Sequence, residues 1–331
     1  MKRNRIPMSL LIILATVLAG CAPAAAAIPP AQTPTTAVVP TPSATATALP
    51  PIVLTDGLGT EFKLSGPAQR IVSLGASNTE ILFALGAENL IAGCDQFSDH
   101  PEAAKPLAVI SAGYGTLDVE TIKALEPDLV LAAEIISADQ VQAMRSLGLT
   151  VFYIANPASV PEGLFANIRT IGTLTGRNPE AESVVAGLQT RFDAVKETAA
   201  VSSNHPLVFF ELDGTDPARP YTAGPGTFID MLIQTAGGRN LGASLSASWA
   251  QISAEEIFRQ DPDIILLGDT AFGVTVESVA ARPGWGNLAA VKNGAVFAVD
   301  SNLVLRPGPR LIDGLEAMAS RIHPELFGGT S

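Results

Sequence analysis

The chain has 331 residues, 47% apolar and 16% charged, which is enough to bury a large core and too long for one average domain, so two lobes are predicted. Its formal net charge is −12, and no basic run follows residue 5. A phosphate backbone needs clustered Lys and Arg, so nucleic acid is excluded as a partner, while an acidic surface suits either a basic protein partner or solubility alone.

Residues 1–20 read as a secretory signal. Lys2, Arg3 and Arg5 form the charged start, and Met8 to Ala19 form an apolar stretch too short to span a membrane comfortably. The stretch ends in Leu18-Ala19-Gly20-Cys21, which resembles a bacterial lipobox. That resemblance implies cleavage before Cys21 and a diacylglycerol on its sulfur, an anchor that holds without spanning. An ordinary signal with a chance cysteine is the alternative. Residues 21–51 follow as an uncharged Ala/Pro/Thr-rich segment with no apolar period, read as a disordered, Pro-stiffened tether. Cys94 is the other cysteine; with Cys21 lipidated no internal disulfide forms, and Cys94 is read as a small core residue.

Residues 52–177 are predicted to form an N-terminal α/β lobe. Asp56-Gly57 between two short apolar runs gives a hairpin. Strands at Ile71–Leu74, Leu90–Gly93, Asp128–Ala132 and Val151–Ile154 alternate with helices at Asn78–Leu85, from Asp118 or Val119 onward, and at Ala138–Leu147; Gly86 and Gly148 close two of these. Residues 178–200 are predicted as one long amphipathic helix, with Asn178 as cap, Pro179 at its first position and Val184, Leu188, Phe192 and Val195 at helical spacing. It serves either as a connector or as an ordinary packing helix. Residues 201–331 restart the alternation: strands at Leu207–Leu212, Asp263–Leu267 and Ala295–Val299, helices at Thr227–Thr235 and Glu255–Arg259, and a last helix marked by Leu311, Leu315, Met318 and Ile322.

One phrase is written twice. VETIKALEPDLVLA at 119–132 and AEEIFRQDPDIILL at 254–267 place Glu120 on Glu255, Ile122 on Ile257, Pro127 on Pro262 and Asp128 on Asp263. Each is a short helix, a Pro-Asp turn and a buried strand, so the lobes are copies of one plan. Facing α/β sheets leave a cleft at their strand ends, where such sheets place ligands. Asp118 and Ser253 look like helix caps, and Ser253 with Glu256 has the capping-box pattern. A first-turn glutamate is also favoured by the helix dipole alone, by roughly 0.3–1 kcal/mol.

No catalytic constellation appears. There is no G-x-S-x-G elbow, no Walker loop and no G-x-G-x-x-G turn; Gly224-Pro225-Gly226 is the nearest miss. His100, His205 and His323 lie far apart in sequence and lack metal-ligand spacing. A non-enzyme is predicted, with no metal and no resident cofactor. A secreted hydrolase would need its acids brought together by the fold.

The stretch Arg70-Ile-Val-Ser-Leu-Gly-Ala-Ser-Asn-Thr-Glu-Ile-Leu-Phe-Ala-Leu-Gly86 resembles the first strand and helix of the substrate-binding proteins of ABC importers for cobalamin, haem and ferric siderophores. The likeness continues through Phe97-Ser98-Asp99-His100-Pro101, the first phrase, Tyr221-Thr222-Ala223-Gly224, Trp249 with the second phrase, and Arg306-Pro307-Gly308-Pro309-Arg310-Leu311-Ile312-Asp313-Gly314-Leu315, covering roughly residues 52 to 328. It implies two Rossmann-like α/β lobes joined by a single long helix, the ligand in the cleft between them, and small hinge motion. It implies a monomeric, lipid-anchored, extracytoplasmic receptor that delivers cobalamin, a ferric siderophore or haem to a dimeric permease. Matching positions assign ligand contact to Ser77, Phe97, Tyr114, Tyr221, Trp249, Asn302 and Arg306, with Arg306 facing a phosphate, propionate or anionic siderophore or else capping the last helix. Core packing is the alternative for each aromatic, and Trp285 is read as packing. Glu120 and Glu255 match the glutamates that dock on permease arginines. Ala133 departs from the cobalamin pattern, where some members carry a large aromatic, and for haem Tyr114 or Tyr221 would be the iron ligand. A surface protein that binds a cell-wall or protein partner without transport is the reading from another class.

Overall fold

Aliphatic runs of four or five residues, each bounded by a turn, dictate the framework. The computed structural model describes residues 50–110, 117–133 and 135–328. The signal, Cys21 and nearly all of the tether lie outside these residues, as does Tyr114. The strands β1 (Ile52–Thr55) and β2 (Glu61–Leu64) pair antiparallel across the Asp56-Gly57 turn, as predicted. Asp56 holds that turn by accepting from the Leu58 and Thr60 amides, both at 3.0 Å, and Arg145 pairs with its other oxygen.

The first lobe runs β3 (Ile71–Leu74), α1 (Ala76–Ala84), β4 (Ile91–Cys94), α2 (Val119–Ala124), β5 (Leu129–Ala133), α3 (Ala138–Ser146), β6 (Val151–Ile154) and α4 (Glu162–Thr175). Its sheet is wholly parallel in the order β4-β3-β5-β6. Helix α1 starts two residues before the predicted Asn78. Gly75 makes this possible: its φ is 142°, and a Cβ there would lie 2.5 Å from the Ala133 Cβ, so the chain turns from strand into helix without room for any side chain.

A 22-residue helix, α5 (Asn178–Ala199), stands in sequence between the two sheets. Asn178 does not cap it. The cap position is Arg177, and Asn178 Oδ1 instead accepts from the Thr173 hydroxyl at 2.9 Å. The face bearing Val185, Leu188, Phe192 and Val195 is buried, with Val184 half-buried at its border. The helix packs on α4 and also on helices of the second lobe, so it is connector and packing helix at once.

The second lobe runs β7 (Leu207–Asp213), β8 (Tyr221–Ala223), α6 (Phe228–Thr235), β9 (Arg239–Asn240), β10 (Trp249–Gln251), α7 (Ala254–Gln260), β11 (Ile264–Leu267), α8 (Val276–Ala281), α9 (Ala289–Lys292), β12 (Val296–Ala298), α10 (Ser301–Val304), α11 (Leu311–Ile322) and α12 (Pro324–Phe327). The sheet order is β10-β8-β7-β11-β12, with β9 also on β7; β7, β9, β11 and β12 pair in parallel, and β8 pairs antiparallel with both β7 and β10.

Central strands covered on both faces should be apolar throughout, and β5 and β11 are. Leu129 and Leu131 of β5, with Ile264 and Leu266 of β11, enter one core that continues through α5 into both lobes. Val130 and Ala132 face a second cluster under α2 and α3, and Ile265 and Leu267 face a third that holds Trp285. Trp285 is therefore packing, as read from the sequence.

The repeated phrase repeats in three dimensions. Ile122 and Ile257 are each fully buried. Glu126 and Asp261 share φ 47°, a left-handed conformation that ends each helix just before its proline. Asp128 then accepts from the Gln69 and Arg70 amides at 2.7 and 2.9 Å, and Asp263 from the Leu207 amide at 2.7 Å. Each aspartate thus clips the start of the neighbouring strand. Asp128→Ala should cost about 2 kcal/mol and Asp263→Ala about 1 kcal/mol, since two charge-assisted bonds are lost in the first and one in the second. Urea unfolding checks this, and equal costs would contradict it.

Candidate functional site

Parallel strands point their carboxyl ends the same way, and the loops that leave them are free to carry a site. Here those loops converge from both lobes. Gly75 to Ser77 follow β3, Phe97 follows β4, Ile135 follows β5 and Ala155-Asn156 follow β6. Leu212, Asp213 and Thr215 come from the end of β7, Phe272 from the loop after β11, and Ser301 to Pro307 from α10 and beyond. Together they enclose a cleft of about 590 Å³, within the range usual for small-molecule sites.

Ser77, Phe97, Asn302 and Arg306 line this cleft, as does Ala133. Tyr221 and Trp249 do not line it. Tyr221 sits opposite Asp213 in the β7–β8 register, one strand beyond the cleft wall, and is 42% exposed. Trp249 is 38% exposed on the edge strand β10, with its ring 5.7 Å from Phe228 in an edge-to-face contact. Tyr114 lies outside the described residues. The sequence reading did not single out Ile135, Asn156, Asn167, Asp213 or Phe272. Of these Phe272 is the most conspicuous, a large aromatic 78% exposed at the cleft.

The polar end of the cleft bridges the lobes. Arg306 Nη1 lies 2.5 Å from Asp99 Oδ1 and 3.8 Å from Glu80 Oε1, and Arg310 Nε donates to Glu80 Oε2 at 3.0 Å. Arg306 therefore does not cap α11; the residue at that cap position is Arg310. Partial burial opposes the charged form of Asp99, but the Arg306 guanidinium beside it outweighs this and holds the carboxyl below its usual range. Two buried aspartates brace the cleft floor: Asp95 Oδ2 accepts from the Gly75 amide and Asp269 Oδ2 from the Gly214 amide, both at 2.7 Å.

Glu120 and Glu255 are both exposed in the first turns of α2 and α7. Neither serves as a cap. Asp118 accepts from the Thr121 amide at 3.0 Å and Ser253 from the Glu256 amide at 3.2 Å. The capping box at Ser253 stays half-made, because the Glu256 carboxylate turns to Arg259 and Gln260. Glu120 and Glu255 form no ion pair among the described residues.

Burial pushes the Cys94 thiol up to about 11, so it stays protonated and inert. Among the described residues no three His, Cys, Asp or Glu side chains are grouped to hold a metal, and no helix is long and apolar enough to cross a membrane. His205 and His323, distant in sequence, meet at the Gly237 carbonyl at 2.9 and 3.4 Å. A second hollow of about 410 Å³ lies there, at the base of α5.

The sequence profile of the periplasmic binding protein family matches residues 71–303. An uncharacterized ABC transporter substrate-binding lipoprotein of Bacillus subtilis, YvrC, is 32% identical over 84% of this chain and 87% of its own length. A cobalamin-binding protein of Halobacterium salinarum is 31% identical over 98% of this chain and 86% of its own. The apo form of the periplasmic heme-binding protein RhuT from Roseiflexus superposes with a TM-score of 0.69 at 28% identity, covering 78% of this chain and 98% of that one. With two α/β lobes, strand ends converging on one cleft and this match over most of its folded length, the chain belongs to the periplasmic binding protein family, the non-enzymatic substrate-binding components of transport.

Proposed function

We propose that this protein captures a corrinoid or an iron chelate, either a ferric siderophore or haem, outside the cytoplasm and delivers it to the permease of an ABC importer. The observation that carries the reading is the cleft lining. Phe97, Ile135, Ile154, Leu212, Phe272 and Leu305 offer apolar and aromatic surface, while Ser77, Asn156, Asn302 and Arg306 offer directed polar groups. A corrin ring, a porphyrin or a wrapped iron complex is broad and partly apolar, and aromatic faces bury such a surface at low entropy cost. In the haem form of the reading Tyr114 supplies the iron ligand, since Tyr221 lies one strand beyond the cleft wall. Cys21 carries the lipid anchor, the protein acts as a monomer, and Glu120 and Glu255 dock one lobe each onto a two-fold permease.

Titration with cyanocobalamin, haemin and ferrichrome, followed by visible absorbance, tests the ligand class. One of the three is expected to bind at micromolar or lower concentration. Phe272→Ala is expected to weaken that ligand about tenfold, the loss of one buried aromatic contact. Silence from all three ligands would sink the ligand class.

A further inference from the structure

We infer that Glu211 and Asp269 hold one proton between them, and that this buried proton fixes the second lobe's wall of the cleft, so that ligand and proton bind cooperatively. The cooperativity rests on the reading of the cleft as the ligand site; the proton site does not. Strand β7 ends in Glu211, Leu212 and Asp213, and Asp269 lies two residues past the end of β11. Both acids are buried, and their carboxyls meet at hydrogen-bonding range. Arg282 donates to both oxygens of Glu211. Two carboxylates thus share one guanidinium, which leaves one negative charge in excess in a buried site, a costly arrangement.

The hydrogen bonds point the same way. Asp269 Oδ2 accepts from the Gly214 amide at 2.7 Å, but Oδ1 is buried and meets no donor. Asp95, which clips Gly75 in the first lobe, has a complete shell. Its Oδ2 accepts from the Gly75 amide at 2.7 Å and the Ser98 hydroxyl at 2.9 Å, and its Oδ1 from the Phe97 amide at 2.8 Å. A carboxylate oxygen gains a partner from a second carboxyl only when one of the two is protonated. One proton therefore removes the excess charge and supplies a donor. Burial pushes the Asp269 carboxyl up, the Gly214 amide and Arg282 pull it down, and Asp213 adds to the rise; the net direction is up, as it is for Glu211. Among the described residues, the charged side chains that bear on the pair are Arg282, just past α8, and Asp213 on β7.

The pair is the root of the cleft wall. Asp213 and Thr215, on either side of Gly214, line the cleft, and so do Ala271 and Phe272 just after Asp269. The bond from Gly214 to Asp269 ties these two segments together, and the Phe272 amide donates to the Asp269 carbonyl at 2.9 Å. When the proton leaves to solvent, two like charges are in contact and one must give way. Glu211 is held on both oxygens by Arg282, which stacks on Trp285. Asp269 is the one that yields, and it carries a loop whose Phe272 is exposed and lightly held. A ligand that uses this wall binds the protonated form better. Its affinity falls as pH rises through the titration of the pair, and by reciprocity the bound ligand strengthens the pair's hold on its proton.

A pH titration of the protein alone, followed by carboxyl 13C and amide 15N NMR, reads the proton directly. The Glu211 and Asp269 carboxyl signals are expected to move together with the Gly214 and Phe272 amides, in a shared step above the ordinary carboxylate range. Asp269→Asn should remove that step, because its amide donates permanently to Glu211 while its oxygen still accepts from Gly214. Visible-absorbance titration with cyanocobalamin, haemin and ferrichrome then reads the coupling. For whichever probe binds, affinity is expected to fall about tenfold across the step in the unsubstituted chain and less than about twofold in Asp269→Asn, a comparison that cancels any titration of the probe itself. Absence of the shared step in the unsubstituted chain overturns the proton site, whether or not the variant folds. A shared step with the same pH profile of affinity in both proteins overturns the coupling to the cleft. A shared step with none of the three probes bound supports the proton-held wall and removes the corrinoid and iron-chelate reading instead.

Discussion

Replacing Glu211 by alanine is expected to remove about 3–5 kcal/mol of folding free energy, a large share of what holds a domain together. Glu211 lies near the end of β7 and is fully buried. Arg282 meets both its oxygens, Nη2 to Oε1 at 2.8 Å and Nη1 to Oε2 at 2.5 Å, and stacks with its Cζ 4.8 Å from the Trp285 ring. Truncating the acid leaves a buried guanidinium with a ring and no carboxylate. Burial raises the Glu211 pKa, Arg282 pulls it down, nearby Asp269 raises it further, and the net direction is up. A carboxyl whose folded pKa is raised takes its proton in the native state first, so its contribution to stability falls as pH rises from the ordinary glutamate range to the folded value. Glu211→Gln should reduce that slope at a smaller cost than alanine. Denaturant unfolding of the three proteins across the acidic range measures both effects, and a loss under about 1 kcal/mol for the alanine variant would contradict a buried pair.

The second large effect concerns delivery. Changing both Glu120 and Glu255 to arginine is expected to abolish uptake while ligand affinity stays within about twofold. The caps of α2 and α7 are made by Asp118 and Ser253, so the reversal leaves the helix starts intact. A carboxylate facing a permease arginine makes a short, oriented, charge-assisted pair, and reversing it puts like charges together at both feet of the dock. Each single change should give a partial defect. Uptake surviving the double change, measured in cells that have this chain as their sole receptor, would refute the docking role.

Much of this fold was legible because its strands are buried on both faces. Ile71–Leu74 and Val151–Ile154 appear as predicted, and the other central strands shift by a residue or so at their ends. Helix α4 was missed, although Leu164, Ile168, Ile171 and Thr175 keep helical spacing and Gly176 closes it in the left-handed conformation. Its glycines, threonines and asparagine are poor helix formers, and burial against α1 and α5 outweighs that preference. The three-residue strands β8 and β10 are too short to show a period. At the site, Ser77, Phe97, Asn302 and Arg306 were found through the family resemblance, all but Asn302 within its motifs. Phe272, Ile135 and Asn156 sit in loops without a motif, and the one available signal was position, just past the ends of parallel strands. Tyr221 and Trp249 stood out as scarce aromatics, but the antiparallel pair that carries them is set beyond the cleft wall.

The core that runs unbroken from one sheet through α5 into the other has a thermodynamic consequence. The inner faces of both sheets share that core, while each lobe keeps a smaller cluster on its outer face, so melting one lobe strips part of the other's interior. Free energy gained by a ligand in the cleft is then shared by the entire folded body, as about 2.7 kcal/mol when the ligand stands at a hundred times its dissociation constant. A receptor built this way reports occupancy as a single cooperative unit, however local the contact that begins it.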